Sequence, residues 1–132
     1  MRIAVGSDHA GFHLKEHVKA VLAGLGHEVV DVGPATSGSV DYPQFAADAA
    51  RLVASGEAQR GVLACGSGVG VAIVANKVAG VRAVNAHDAS EADVIVLAFL
   101  RTEFEGGRHA RRVGQIAAIE GARAEPDTVL HP

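Results

Sequence analysis

Residues 61–70 read GVLACGSGVG, a short apolar run followed at once by a turn with three glycines. A run with almost no polar residue is typical of a strand whose two faces are both covered. The following residues, 71–77, have the character of a helix. A strand, a tight turn and a helix in this order predict an α/β domain with a parallel sheet.

The same alternation extends on both sides of this stretch. The predicted strands are short β-branched or apolar runs at residues 3–6, 28–33, 61–65 and 81–86. Predicted helices cover residues 14–25, 43–54 and 71–77, and the first of these helices is expected to end at Gly26. This order predicts a mostly parallel sheet with helices on both faces.

The C-terminal third is less regular. Residues 93–100 (DVIVLAFL) are compatible with a fifth strand or an apolar helix, and residues 108–120 predict a helix. We expect one domain over residues 1–120 and a flexible tail over 121–132.

Composition limits the class of protein. The 132 residues are 48% hydrophobic and carry a net charge of −3, which argues against disorder and against a polycation that binds nucleic acid. No apolar run reaches the roughly 18 residues of a membrane span, and the N-terminus lacks a signal-peptide pattern. A single cysteine excludes an intrachain disulfide, so we expect a cytoplasmic protein without a membrane partner.

Polar groups gather where the predicted strands end, which is where open parallel sheets bind ligands. The turn at 66–70 lacks the Lys-Ser/Thr pair of a Walker loop and does not follow the first strand as a dinucleotide fingerprint does. It is either a plain strand-to-helix connection or a cradle of backbone N–H groups for an oxyanion. Cys65 is either a small buried apolar residue or a thiolate beside a helix N-terminus. Ser67 is either the cap of the following helix or a hydrogen-bond donor to a reacting oxygen.

Two further groups of residues are candidates. Asp8 and His9 follow the first strand. Asp8 could cap the first long helix and His9 could be a surface residue. Alternatively, the two together could contact a sugar hydroxyl or a phosphate. Arg108 and Arg112 are four residues apart, so a helix places both on one face. That face is either a solvated basic surface or a clamp for a phosphate group. The scattered histidines offer no compact metal-ligand set, and no cofactor is expected.

Four ordered motifs resemble the RpiB/LacAB family of sugar-phosphate isomerases over nearly the whole chain to about Glu120. They are GSDHAGF with Leu14 and Lys15, then Asp41-Tyr42-Pro43, then CGSGVG with Ala75-Asn76-Lys77, and finally EGGRH with Arg112 and Val113. The resemblance implies a Rossmann-like, three-layer αβα sandwich with four to five strands. It also implies a homodimer or tetramer with active sites shared between subunits, and metal-free interconversion of ribose 5-phosphate and ribulose 5-phosphate.

The resemblance also implies roles for individual residues. Cys65 matches the base that moves a proton between C2 and C1, and Ser67 with the amides of Gly66, Gly68, Val69 and Gly70 matches the enediolate stabilisers. Asp8, His9 and Tyr42 match sugar and phosphate contacts, and Arg108 and Arg112 match phosphate ligands. Relatives without this cysteine carry a glutamate base where this chain has Val71, so the chain resembles the cysteine branch.

One departure stands out after Ser90. The family carries a helix, a strand and a G-x-R turn there, with a ring-opening histidine, an asparagine and another phosphate-binding arginine, and none of these is found here. A short open-chain substrate such as a tetrulose phosphate would need no ring opening, and galactose 6-phosphate is another family substrate. Two other interpretations remain. The chain is a catalytically weak relative that binds sugar phosphates, or it is a subunit that pairs with a longer paralogue.

Overall fold

The computed structural model describes residues 1–86 and 89–124, with side chains assigned except at 89 and 122–124. Two compact units divide the chain, Met1–Leu100 and Arg101–Pro132. The elements in chain order are β1 (Arg2–Ser7), α1 (Phe12–Gly24), β2 (Glu28–Asp31), α2 (Tyr42–Ala54), β3 (Arg60–Ala64), α3 (Val69–Lys77), a short 3₁₀ turn (Ala89–Glu91), α4 (Ala92–Arg101) and α5 (Arg108–Ala124).

The sheet has strand order β2-β1-β3, and both pairs are parallel. Alternate residues of β1 point to opposite faces, as the pleat requires. Ile3 and Val5 pack with residues of α1 and α4, whereas Ala4 packs with residues of α2 on the other face. Helices therefore cover both faces, and the predicted α/β, three-layer arrangement is confirmed.

Two predictions about the sheet are wrong in detail. The described residues form three strands rather than four or five, and residues 81–86 have no strand assignment. Asn76 binds both backbone groups of Ala83, because its Nδ2 donates to the Ala83 carbonyl at 2.9 Å and its Oδ1 accepts the Ala83 N–H at 2.9 Å. A side-chain amide thus takes the hydrogen bonds that a neighbouring strand would have made.

The ambiguous segment 93–100 is helical. It lies within α4, whose buried Val96 and Leu100 pack on the β1 core. His17 Nε2 lies 2.6 Å from Asp93 Oδ1, and this contact joins α1 to α4. Burial of the apolar face of α4 on the sheet outweighs the β propensity of its valines and isoleucine.

The C-terminal unit contains α5, which confirms the helix expected at 108–120 and extends it to Ala124. Residues 121–124, which the sequence assigned to the tail, thus belong to the last turn of this helix, and residues 125–132 lie outside the described part of the chain. A single domain over 1–120 stays a prediction.

Candidate active site

The site is built where β1 and β3 end side by side. Ser7 of β1 is in register with Ala64 of β3, so the residues that follow them, Asp8 and Cys65, emerge together at the carboxyl edge of the sheet. The Asp8 N–H donates to the Ala64 carbonyl at 3.2 Å and continues the ladder by one bond. The parallel register thus places a carboxyl and a thiol next to each other.

Asp8 is buried and accepts three hydrogen bonds. Its Oδ1 accepts the Gly11 N–H at 2.6 Å, and its Oδ2 accepts the Cys65 thiol at 3.2 Å and the Gly66 N–H at 3.4 Å. Burial raises the pKa of Asp8, but these three donors and the nearby His9 outweigh it, so the pKa lies below its ordinary value. Asp8 is therefore an ionised anchor that holds the thiol in place.

The start of α1 packs tightly against this edge. Asp8 Oδ1 binds the N–H of Gly11, the residue that directly precedes α1, but no side chain caps the first turn of α1, so the alternative role of Asp8 as a helix cap is not found. A Cβ on Gly11 would collide with the Ala64 carbonyl and lie 2.6 Å from the Cys65 nitrogen. Only a glycine lets the helix come this close to the backbone that carries the thiol.

The glycine turn after Cys65 has a left-handed residue at its centre. Gly68 has φ of 76°, a conformation that side chains disfavour, and it directly precedes α3. Ser67 Oγ accepts the Val69 N–H at 3.3 Å, so the serine does help to cap the helix. Its hydroxyl proton is not used in that bond and can be donated elsewhere.

Tyr42 reaches the same turn from the start of α2. A Cβ on Gly70 would lie 2.7 Å from the Tyr42 hydroxyl oxygen, which places the phenol against the first turn of α3. His9 lies on the other side of Asp8, with its Nδ1 3.3 Å from the Val40 carbonyl oxygen and 3.4 Å from the Val40 nitrogen. The loop before α2 is thereby attached to the site.

Arg108 and Arg112 lie in the first turns of α5, in the C-terminal unit. Their spacing places them on one face of the helix, as the sequence predicted. Both are exposed within the described residues.

Asn85 lies near the end of the predicted strand at residues 81–86, and the sequence alone assigned it no role. Its Nδ2 donates to the Ser67 carbonyl at 3.1 Å, and its side chain lies against Gly68. The only available signal was an uncharged polar residue near the end of the predicted strand VRAVNA, whose other polar residue is Arg82. Among the described residues, no group of three or more His, Cys, Asp or Glu could hold a metal ion. No helix in the part of the chain that the structure describes is long and apolar enough to span a bilayer.

Comparison with known proteins accounts for this arrangement. The family model described as Ribose/Galactose Isomerase matches residues 3–97. The chain belongs to this family. Ribose-5-phosphate isomerase B of Escherichia coli is 42% identical over 92% of this chain and 98% of its own. The D-erythrulose-4-phosphate isomerase of Pectobacterium atrosepticum is 35% identical over 91% of this chain and 95% of its own.

Solved structures agree with the sequence relatives. Ribose-5-phosphate isomerase B of Clostridium thermocellum superimposes with a TM-score of 0.89 at 38% identity, covering 94% of this chain and all of that one. The expected family and its Rossmann-like fold are therefore confirmed, and the chain is an isomerase of the ribose/galactose type.

The missing segment is also visible in these comparisons. The alignment with the Escherichia coli relative runs over 146 positions and includes 92% of this chain, which is about 121 of its 132 residues. About 25 positions of the relative therefore have no counterpart here. This agrees with the departure from the family pattern that the sequence shows after Ser90.

Proposed function

We propose that this protein interconverts ribose 5-phosphate and ribulose 5-phosphate through an enediolate, with Cys65 as the base. The observation that carries the proposal is the position of the Cys65 sulfur. It lies 3.2 Å from an ionised carboxylate and directly before a glycine turn that leads into a helix N-terminus. An aldose–ketose shift needs a base and an oxyanion site within reach of the same two carbons.

The proton transfers follow from this geometry. The thiol must lose its proton to water before it can act as a base. Cys65 is partly exposed, Asp8 Oδ2 orients its S–H group, and the N-terminus of α3 favours the thiolate. The thiolate then removes the proton on C2 of the aldose, and the carbonyl oxygen becomes an enediolate oxygen. Cys65 returns the proton to C1 and a hydroxyl proton moves between the oxygens, which gives the ketose without any net gain or loss of electrons.

The turn after Cys65 stabilises the developing negative charge. Backbone amides at Gly66, Gly68, Val69 and Gly70, together with the Ser67 hydroxyl, are the proposed donors, and the N-terminus of α3 adds positive partial charge. Such fixed donors favour the transition state because they need no rearrangement when charge appears.

The remaining contacts orient the sugar phosphate. Asp8, His9 and Tyr42 are the proposed sugar and phosphate contacts around the turn, and Arg108 and Arg112 of α5 are the proposed phosphate ligands. We propose a homodimer or tetramer with shared sites, in which a second copy can supply the arginines. We propose the cytoplasm as the compartment, because a single cysteine suits a reducing environment.

A second candidate substrate is a four-carbon sugar phosphate such as erythrulose 4-phosphate. Two observations favour it: the similarity to erythrulose-phosphate isomerases and the loss of the segment that carries the ring-opening histidine in the family. A tetrose phosphate has no hydroxyl free to close a furanose ring, so the missing histidine would not limit its turnover.

An NMR assay of aldose–ketose conversion with ribose 5-phosphate and erythrulose 4-phosphate tests both candidates. We expect Cys65→Ala to lower kcat about a thousandfold on whichever substrate is turned over, because a positioned general base contributes roughly 10²–10⁴-fold. Sugar-phosphate binding, measured by calorimetry, should persist within a few-fold. Full activity of Cys65→Ala would remove the cysteine base, and binding without turnover by the wild type on both substrates would identify a non-catalytic relative.

A further inference from the structure

Asn85 holds a position that the proposed chemistry does not yet use. It lies in the segment after α3, where residues 81–86 alternate between more buried and more exposed positions. Val81 and Ala83 pack against a core formed with α2 and α3, and the intervening Val84 is 93% exposed. Asn85 follows on the inward side, and this places its amide at the glycine turn.

Two contacts connect Asn85 with the centre of that turn. Its Nδ2 donates to the Ser67 carbonyl at 3.1 Å. A Cβ on Gly68 would collide with the Asn85 Oδ1, and it would lie 3.1 Å from Nδ2, so the amide is packed directly against the left-handed residue. One side chain therefore both binds the peptide before Gly68 and fills the space beside it.

These contacts control which way the turn directs its backbone groups. The peptide between Ser67 and Gly68 has a carbonyl at one end and an N–H at the other, and they point in opposite directions. While Asn85 binds the carbonyl, the Gly68 N–H is held on the opposite side of that peptide. If the peptide rotated, a carbonyl oxygen would replace an N–H in the proposed oxyanion site and would repel the enediolate.

We propose that Asn85 is a positioning residue that keeps the Ser67–Gly68 peptide in the orientation required for enediolate stabilisation. It acts through the turn and needs no contact with the substrate. The inference rests on the proposed isomerase function for its kinetic consequence, but its structural consequence can be measured without turnover.

The structural test uses the lone cysteine as a reporter. Cys65 is the only thiol in the chain and lies two residues before Ser67, so alkylation by iodoacetamide reports on one position, directly beside the turn. Asn85→Leu removes the donor while keeping a similar volume. Val84→Thr, at the exposed neighbouring position, is the matched control. We expect at least a threefold change in alkylation rate for Asn85→Leu and no change for Val84→Thr; equal rates in all three proteins would overturn the inference.

The kinetic test separates positioning from general stability. Losing one hydrogen bond that orients the turn should lower kcat about tenfold in Asn85→Leu and leave KM within about twofold, because the turn acts on the transition state. A fall in thermal midpoint with unchanged kcat in the folded protein would instead show a purely structural role and contradict the inference. If the wild type turns over neither substrate, the proposed function fails, and the alkylation rates still decide the role of Asn85.

A coupling measurement adds an independent check. Gly68→Ala should destabilise the protein, because it introduces a Cβ against the Asn85 amide and strains a left-handed residue. In an Asn85→Ala background the collision is relieved and only the strain remains, so the loss from Gly68→Ala should be smaller. Equal losses in both backgrounds would show that Asn85 does not pack on the turn.

Discussion

Two aspartates at the carboxyl edge of the same sheet illustrate how similar local positions acquire different functions. Asp8 follows β1 and Asp31 ends β2, and hydrogen bonds hold the pKa of each below its ordinary value although burial opposes this. Asp8 is bound by two backbone N–H groups and a thiol, and no lysine among the described residues forms an ion pair with it. Asp31 is bound by two lysines, Lys15 and Lys19.

The partners explain the difference. Lys15 is completely buried, and its ammonium donates to both oxygens of Asp31 and to the Pro34 carbonyl at 2.6 Å. Its charge is thereby compensated and its donors are used, so the end of β2 holds α1 on the sheet. The carboxylate after β1 instead contacts the thiol of Cys65, which follows β3 and directly precedes the glycine turn. A strand end becomes a candidate reactive site only when its charged group lacks a full counter-ion and has a reactive neighbour.

Among the tests of this difference between the two aspartates, Asp31→Asn should cause the largest change, which is a loss of stability. The variant removes the nearer and less exposed of the two carboxylates that pair with the buried Lys15 ammonium, and leaves only Glu16 at 3.4 Å. This should lower the free energy of unfolding by about 3 kcal/mol, the low end for a broken buried ion pair. In the folded protein kcat should stay within twofold of the wild type. Urea unfolding and an isomerase assay measure the two quantities. Lys19→Gln, which removes only the more exposed partner, is the control and should cost less than about 1 kcal/mol; a comparable loss from both variants would contradict the buried role of Lys15.

Asp8→Asn should show the complementary result. An asparagine keeps one acceptor but places an NH₂ group where Asp8 Oδ2 now accepts the thiol and the Gly66 N–H, so the thiol loses its alignment. We expect kcat to fall about a hundredfold, which corresponds to about 2.7 kcal/mol, with a decrease of a few degrees in thermal midpoint. Steady-state kinetics with calorimetric scans would check this, and unchanged kcat would remove Asp8 from the mechanism.

The smallest effect is the dependence of stability on pH. Because the folded-state pKa of Asp31 lies below that of an unfolded aspartate, near 3.9, its stabilisation is complete above about pH 5 and is lost as the pH falls through the folded pKa. The wild type should therefore approach Asp31→Asn in stability as acid is added. Urea unfolding at pH 6, 4 and 3 measures the gap, and a constant gap would show that Asp31 is not held ionised by its lysines.

Part of the site could be predicted because it depends on local sequence. The apolar run before Cys65, the glycines after it and the aspartate that binds the Gly11 N–H each depend on residues only a few positions apart. The contact between Asp8 and Cys65 joins positions 57 residues apart, and only the parallel register of β1 and β3 creates it. The family resemblance supplied what spacing alone did not, the pairing of these two positions in one active site.

The sequence by itself determined the alternation of strands and helices, the glycine turn and the family, because each is encoded in short patterns of polarity and residue shape. Only the tertiary structure decided that residues 93–100 form a helix, that Asn76 takes the hydrogen bonds of the expected fourth strand, and that Asn85 packs on Gly68. These features depend on which surfaces remain to be buried and which backbone groups still need partners. Both are set by packing between distant segments rather than by any one of them.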